Sequence, residues 1–432
     1  MAKLTISQFS CIEQAELEFG QMTILIGPQA SGKSVLCKLV YFFYRIFNAK
    51  VFVNADESDW KTLNKEIVLE FKKWFPQTAW GNKKFCIIFE AGPVVVTITR
   101  TTSGNKPAQN VRLTISDEFK VIYDNYLNIL SEHKKKAATK AKHAIFDEPV
   151  WRIQGAARKE MLKLFGNDYV TSQLFVPAGR AFFTNFGKAI VAFEQGGLLD
   201  PVTIHFGRRF ASSREHWLRR GLGPRDSNQL ERKRYARRQL ANSFFGGEIR
   251  ISREKEYIEC PDGRKVPFSL MSSGQQELLP LWLALEYILE RNPARQLVYI
   301  EEPEAHLFPA SQSKLVAFLT SLVNEKNGPN LIVTTHSPYV LSKINNLLKA
   351  GSLAKNATKE EREKIATLVP EDSWLTPRDV RAYAVIDKRL SSLIGDDGLI
   401  DAYYLDEVSM EVSEEFNNLL DIELEQLARK RQ

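Results

Sequence analysis

The sequence has few cysteines and no cysteine pairing pattern. Cys11, Cys37, Cys86 and Cys260 are its only four. They are scattered, without a C-x-x-C pair, so neither a disulfide framework nor a zinc knuckle is indicated. Four reduced, mostly buried thiols in a cytoplasmic protein are expected. Long hydrophobic runs are also lacking: stretches such as Leu278 to Leu285 fall far short of the ~20 residues of a membrane span. The first residues, Met1-Ala-Lys-Leu-Thr-Ile-Ser7, contain no h-region and no cleavage site, so no secretion signal is read there. No internal repeat and no sustained heptad is present. Charge is nearly balanced, with 59 Lys and Arg against 52 Asp and Glu, a net of +7. That excess permits an acidic partner such as nucleic acid without requiring one.

What is present is the composition of a folded protein. Hydrophobic residues make up 44% and charged residues 26%, enough for a large core and against wholesale disorder. A chain of 432 residues suggests about three domains at ~150 residues each, although one α/β core with insertions fits the length as well.

Residues 3–26 read as three short strands, the last of them, Met22-Thr-Ile-Leu-Ile26, apolar enough to be central in a sheet. Leu36, Leu39, Val40 and Phe43 then recur at helical spacing. Residues 57–74 look helical, and 85–89, 94–98 and 111–115 form a strand meander with turns at Gly92 and Gly104. From 117 to 167 the pattern is helical and polar, with a lysine-rich stretch at Lys134, Lys135, Lys136, Lys140 and Lys142. A strand returns at 169–176, and 182–240 reads mostly as helix. Between Arg208 and Arg238 eleven basic residues face three acids, a local net of +8. Strands are expected again near 248–251, 257–259, 297–300 and 331–335, with helices between the last ones. The final 80 or so residues are mixed and end in an acidic cluster that includes Asp406, Glu407, Glu414, Glu415, Asp421 and Glu425.

Four short stretches carry chemistry. Gly27-Pro-Gln29-Ala30-Ser31-Gly32-Lys33-Ser34 fits G-x-x-x-x-G-K-[ST], between a buried strand and a helix. Its glycines let successive N–H groups and the helix N-terminus face a phosphate chain. Lys33 suits the β- and γ-phosphates of ATP, and the Ser34 hydroxyl suits Mg²⁺. Leu297-Val-Tyr-Ile300-Glu301-Glu302 is a buried strand ending in two carboxylates. Glu301 there fits a metal-water ligand and Glu302 a general base that polarises the attacking water. Leu331-Ile-Val-Thr-Thr335-His336 is another strand, with a histidine at its carboxyl end, within reach of a γ-phosphate or a water. Ser272-Ser273-Gly274-Gln275-Gln276 opens a helix and forms a second anion site. Simple capping by serine would also explain it. One chain has no use for two cradles for the same γ-phosphate, so Ser273 and Gly274 are expected to serve the ATP of a second copy.

In this order the four stretches resemble the ABC-type ATPase heads of the SMC/RecF/OLD group. Gly27–Ser34 resembles Walker A, Ser272–Gln276 the signature motif, Leu297–Glu302 Walker B and His336 the switch histidine. Ile300-Glu-Glu-Pro-Glu-Ala-His306 and Thr334-Thr-His-Ser-Pro338 are especially similar to the OLD-like branch. The resemblance covers about 1–45 and 245–345. Gln275 stands where the signature has a second glycine, and Glu301 where aspartate is commoner in Walker B. Gln173 is the candidate for the family's glutamine switch. The implied fold is α/β: a P-loop ATPase head with a mixed sheet core, an antiparallel β subdomain and a helical insertion. The expected boundaries are 1–116 and 245–350 for the two parts of the head, 117–244 for the basic helical insertion and 351–432 for a C-terminal extension.

The resemblance further implies ATP and Mg²⁺ as ligands and a homodimer with ATP sandwiched between heads. Lys33, Ser34, Glu301 and Glu302 then act in cis, while Ser273 and Gly274 act in trans. The 237 residues between Walker A and the signature hold no heptad run, which excludes a long coiled-coil arm. After His336 no D-x-D triplet follows, so an intrinsic Toprim nuclease is not expected. Two roles remain. One is a sensor or scaffold that controls a separate effector nuclease, as in Septu-like, retron-associated or PARIS-like phage defence. The other is a RecF-like repair clamp that binds DNA through Arg208–Arg238. For that basic segment a solvated helical face, nucleic-acid binding and docking of an acidic partner are all open.

Overall fold

The computed structural model describes residues 2–48, 59–104, 106–140, 150–186, 199–219, 228–291, 295–401 and 414–420, with side chains at 133–140, 150–154, 219 and 228–231 set aside. In chain order the strands are β1 (Lys3–Phe9), β2 (Ile12–Glu18), β3 (Met22–Ile26), β4 (Cys86–Ala91), β5 (Val94–Ser103), β6 (Lys106–Ile115), β7 (Ser172–Val176), β8 (Glu248–Ile251), β9 (Glu256–Glu259), β10 (Lys265–Pro267), β11 (Gln296–Glu301), β12 (Asn330–Thr335), β13 (Val380–Ile386) and β14 (Arg389–Ser392). The helices are α1 (Lys33–Ile46), α2 (Trp60–Trp74), α3 (Asp117–Lys140), α4 (Val150–Phe165), α5 (Ala181–Phe186), α6 (Pro201–Arg219), α7 (Asn228–Phe245), α8 (Ser273–Arg291), α9 (Pro309–Val323), α10 (Pro338–Ala354) and α11 (Lys359–Leu368).

Eleven strands form one sheet in the order β6-β5-β4-β1-β2-β14-β13-β3-β12-β11-β7. Its second half, β13-β3-β12-β11-β7, is entirely parallel. Every residue of β3 and β11 is buried, which is why these strands read as unbroken apolar runs. The first half is an antiparallel wing that starts from the β1–β2 hairpin. β8, β9 and β10 make a separate three-stranded sheet.

Two cores lie on opposite faces of the sheet. On one, α1 is buried almost all round, and its aromatic run fills the space under the wing: Phe43 stacks on Phe89 of β4 at 5.1 Å. On the other face, Trp282 of α8 stacks on Phe318 of α9 at 4.8 Å. Pro280 lies inside α8 and has no N–H for the carbonyl of Gln276. The Thr184 hydroxyl of α5 donates to that carbonyl instead, at 2.7 Å, so the broken turn leaves no orphan acceptor.

The sequence boundaries do not follow the sheet. β7 comes from the segment expected as a helical insertion, yet it pairs with β11. β13 comes from the C-terminal extension, yet it pairs with β3 along its length. The β13–β14 turn has Asp387 and Lys388 at φ 47° and 64°, the left-handed pair of a tight hairpin turn. The lysine side chains of the 134–142 stretch and most of the acidic end lie outside the described residues.

Candidate nucleotide site

β3, β12 and β11 are adjacent and parallel, so their carboxyl ends share one edge of the sheet, where α/β sheets place their ligands. The loop 27–32 leaves β3 there and runs into α1. Gly27 has φ 148°, and a Cβ on it would stand 2.6 Å from the Val385 carbonyl of β13. Only glycine allows the loop to pass that strand. Gln29, Ala30 and Ser34 are exposed, and Ser31 and Gly32 are partly so. Lys33 is buried and folds back on its own loop: its ammonium donates to the carbonyls of Gly27 and Pro28, both at 2.8 Å. Burial lowers its pKa, and the carboxylates of Glu302, Glu301 and Glu304 oppose that shift.

Glu301 ends β11 and is 7% exposed. Its Oε2 accepts the Ala178 N–H at 3.2 Å, and its Oε1 is buried with no hydrogen-bond partner among the described residues. Glu302 leaves the ladder at φ 45°, a left-handed conformation that costs a non-glycine residue on the order of 1–3 kcal/mol. Its N–H is held by the Thr334 carbonyl at 2.9 Å, and its carboxylate lies 3.3 Å from His336 Nε2. The two residues named from sequence as base and switch are therefore direct neighbours.

Two residues here were not singled out from sequence. Glu304 is 8% exposed, and its Oε1 accepts from the Thr335 hydroxyl at 2.6 Å and the His336 N–H at 2.9 Å. It thus fixes the end of β12 and the ring that follows it. Arg180 is fully buried and donates to the carbonyls of Pro177, Glu277, Glu301 and Glu302. Burial pulls its pKa down, and the nearby carboxylates of Glu277, Glu304, Glu301 and Glu302 act against that. The available signal was an arginine placed just after β7, in Pro177-Ala-Gly-Arg180, at a strand end facing the acidic pair.

The signature-like turn sits beside this group. Ser272 and Gln275 form a reciprocal cap: Ser272 N–H donates to Gln275 Oε1 at 3.0 Å, and Gln275 N–H donates to Ser272 Oγ at 3.4 Å. Gln275 also donates to the Phe245 carbonyl at 2.8 Å. This explains why glutamine replaces a glycine there: it serves as the third residue of a capping box. A Cβ on Gly274 would meet the His306 carbonyl at 2.5 Å, so the turn packs against the loop that follows Glu302. Ser273 is exposed.

Gln173 is not part of the gathered set. It pairs with Leu297, four residues before Glu301. Its side chain points inward, taking the Tyr299 hydroxyl at 2.8 Å and reaching the Tyr41 carbonyl at 3.3 Å.

The basic segment is neutralised in part. Arg214 pairs with Glu256, Arg234 with Glu290, Arg237 with Glu286 at 2.8 Å and Lys233 with Glu325 at 3.2 Å. Arg209 lies over the Tyr287 ring at 5.5 Å. The acids come from β9, α8 and the turn after α9, so part of the +8 counted along the segment is met by other elements.

A family model described as "AAA ATPase domain" matches residues 1–164 and 226–341, a span that contains all four motifs. The chain belongs to this AAA ATPase domain family. Membership carries nucleotide binding with it, in agreement with the loop at 27–34. No curated protein matches the sequence significantly. Among solved structures, the SMC head domain from Thermotoga maritima is 13% identical, with 90% of this chain and 97% of that one covered and a TM-score of 0.35. An SMC head bound to the C-terminal winged-helix domain of ScpA is 14% identical, covering 90% and 96%, at 0.39. An SMC head with an extended coiled coil, bound to the C-terminal domain of ScpA from Pyrococcus furiosus, is 12% identical, covering 96% and 100%, at 0.37. Among the described residues no helix is long and apolar enough to cross a membrane.

Proposed function

We propose that this chain binds and hydrolyses Mg²⁺-ATP at a site completed by a second copy, and that the resulting dimer is an OLD-like switch controlling a separate effector nuclease in phage defence. The observation that carries the ATPase reading is the meeting of Lys33, Glu301, Glu302 and His336 at the carboxyl ends of three adjacent parallel strands. ATP phosphates would draw Lys33 away from the carbonyls of Gly27 and Pro28, exchanging two neutral acceptors for charged ones. Mg²⁺ would be held by Ser34 and, through water, by Glu301, whose orphan Oε1 is a buried acceptor in need of a partner. When bound, the ion neutralises charge between the phosphates. Among the described residues no cluster of three or more Asp, Glu, His or Cys is built to hold a metal. Such an ion is then shared with the substrate, as is usual for Mg²⁺. Glu302 would take the hydrogen bond of the attacking water, with His336 fixing its carboxylate.

A second copy is supported by what the signature side exposes. Ser273 faces outward, and Leu270, Phe308 and Tyr339, which are 73%, 77% and 55% exposed, flank the signature turn, the loop after Glu302 and His336. Apolar side chains left open beside a polar site mark an interface. The ion pairs of Arg214, Lys233, Arg234 and Arg237 commit four of the segment's eleven basic residues, which leaves fewer charges for a DNA clamp.

The test is ATP hydrolysis as a function of protein concentration. A specific rate that rises with concentration is expected. A rate independent of concentration, with no ATP-dependent mass change by light scattering, overturns the shared site. DNA binding that weakens steeply with salt would restore the clamp, and a copurifying nuclease would support the effector role.

A further inference from the structure

The segment from Glu301 to His306 carries the carboxylates of the nucleotide site and is bent at both ends. Glu302 and His306 stand at φ 45° and 59°, left-handed positions that a non-glycine residue keeps only where its surroundings impose them. At the far end the neighbour is the signature turn, since Gly274 leaves no room for a Cβ beside the His306 carbonyl. At the near end it is Arg180. Its Nη1 donates to the Glu301 carbonyl and its Nη2 to that of Glu302. Those carbonyls belong to the peptide groups on either side of the Glu302 α-carbon, so the guanidinium sets the direction in which the base leaves the chain.

That grip is anchored on α8. The Arg180 Nε donates to the Glu277 carbonyl, and the Glu277 carboxylate accepts the N–H groups of Arg180 and Ala181. α5 begins at Ala181 and leans on the same turn: the Thr184 hydroxyl donates to the Gln276 carbonyl, and Asn185 Nδ2 donates to the Gln276 side chain at 3.4 Å. Gln276 and Glu277 follow Ser273 and Gly274 in the first turns of one helix. A fully buried arginine is a costly strut, because packed apolar residues often replace buried ion pairs without loss of stability. Its cost is understandable if the reaction uses it.

We propose that, given the ATPase reading on which this rests, Arg180 is a positioning residue that aims Glu302 from the signature helix. The aim of the base then follows the turn on which the ATP of a second copy rests, so hydrolysis at one site is regulated by engagement of the partner. Arg180 acts through the backbone of Glu302 and not on the nucleotide.

The test uses full-length protein and follows steady-state hydrolysis, ATP-dependent mass by light scattering and the urea midpoint. Arg180→Lys keeps a cation but loses the planar fork that spans two carbonyls. It is expected to lower kcat by on the order of tenfold or more, with KM and the ATP-dependent mass unchanged. Glu277→Gln leaves the guanidinium intact and should lower kcat in the same way, to a smaller degree. The deciding measurement is made in a Glu302→Gln background. There, single-turnover hydrolysis should not fall further when Arg180→Lys is added, because no base is left to aim. Should Arg180→Lys not fold, the same cycle is run with Glu277→Gln. Losses that multiply in the combined variant, or a kcat unchanged by the single substitutions, overturn the role of Arg180. So do a raised KM and a lost dimer that track a lower urea midpoint, which make the arginine a strut and nothing more. Wild-type protein that neither binds nor hydrolyses ATP overturns the ATPase reading itself, and the proposal with it.

Discussion

Arg180 and Glu277 grip each other by both main chain and side chain. The Arg180 Nε donates to the Glu277 carbonyl at 3.1 Å, and the Glu277 carboxylate accepts the N–H groups of Arg180 and Ala181 at 2.8 and 3.1 Å. The same guanidinium holds the carbonyl of Glu301 at 2.6 Å and that of Glu302 at 3.0 Å. One buried residue thus ties the helix of the signature turn to the strand end that carries both carboxylates. Truncating it leaves buried acceptors and a buried carboxylate unpaired. Arg180→Ala is expected to lower stability by roughly 3–5 kcal/mol in urea unfolding. Glu277→Gln, which keeps one oxygen acceptor, should cost clearly less. Equal losses in the two variants would contradict the clasp.

Lys33→Ala removes an ammonium that is buried and held by neutral oxygens, the carbonyls of Gly27 and Pro28 and the Ser31 hydroxyl. Folding should be little affected, because the substitution also removes a desolvated charge. ATP affinity and hydrolysis should both fall, with kcat reduced by on the order of 10²-fold or more. Glu302→Gln should reduce kcat to a similar degree while ATP still binds and the ATP-bound dimer accumulates, as read by light scattering.

Gly274→Ala places a methyl against the His306 carbonyl. The loop that follows Glu302 must shift, so ATP binding at Lys33 should survive while ATP-dependent dimerisation and turnover are lost. Retention of normal turnover by this variant would separate the turn from the proposed trans site.

His205 gives a pH signature. Its folded value of about 4 lies below the unfolded one of about 6.5, so the unfolded chain binds more protons between these limits. Stability is therefore full above about pH 6.5 and declines as pH falls towards 4. At pH 5 the loss should be about 2 kcal/mol, seen as a lower urea midpoint. His205→Gln should flatten this part of the profile.

Legibility in the sequence followed the range of the interaction. The P-loop, β11 and β12 were readable because each is a contiguous apolar run with its functional group at the end. Arg180 was not, since its partners Glu277 and Glu301 stand 97 and 121 residues away. Part of the basic stretch was illegible for the same reason: its charge was counted along the chain, while Glu256, Glu286, Glu290 and Glu325 reach four of its basic residues only in the folded state. β13 escaped notice because its buried positions are small, with Ala382 and Ala384 in place of large aliphatics. Gln173 was correctly placed on a strand, but its side chain faces Tyr299 rather than the phosphate end.

The neighbours of β3 have a consequence for the order in which the molecule comes into being. β3 ends at Ile26, but its flanking strands, β12 and β13, begin more than 300 residues later, at Asn330 and Val380. Until those strands are made, the strand that bears the P-loop has neither partner, and Gly27 has no Val385 carbonyl to pass. Contacts at such separation form slowly. The cradle at 27–32 therefore takes its native form only once β12 and β13 have docked on β3, so nucleotide binding there reports docking of the later strands.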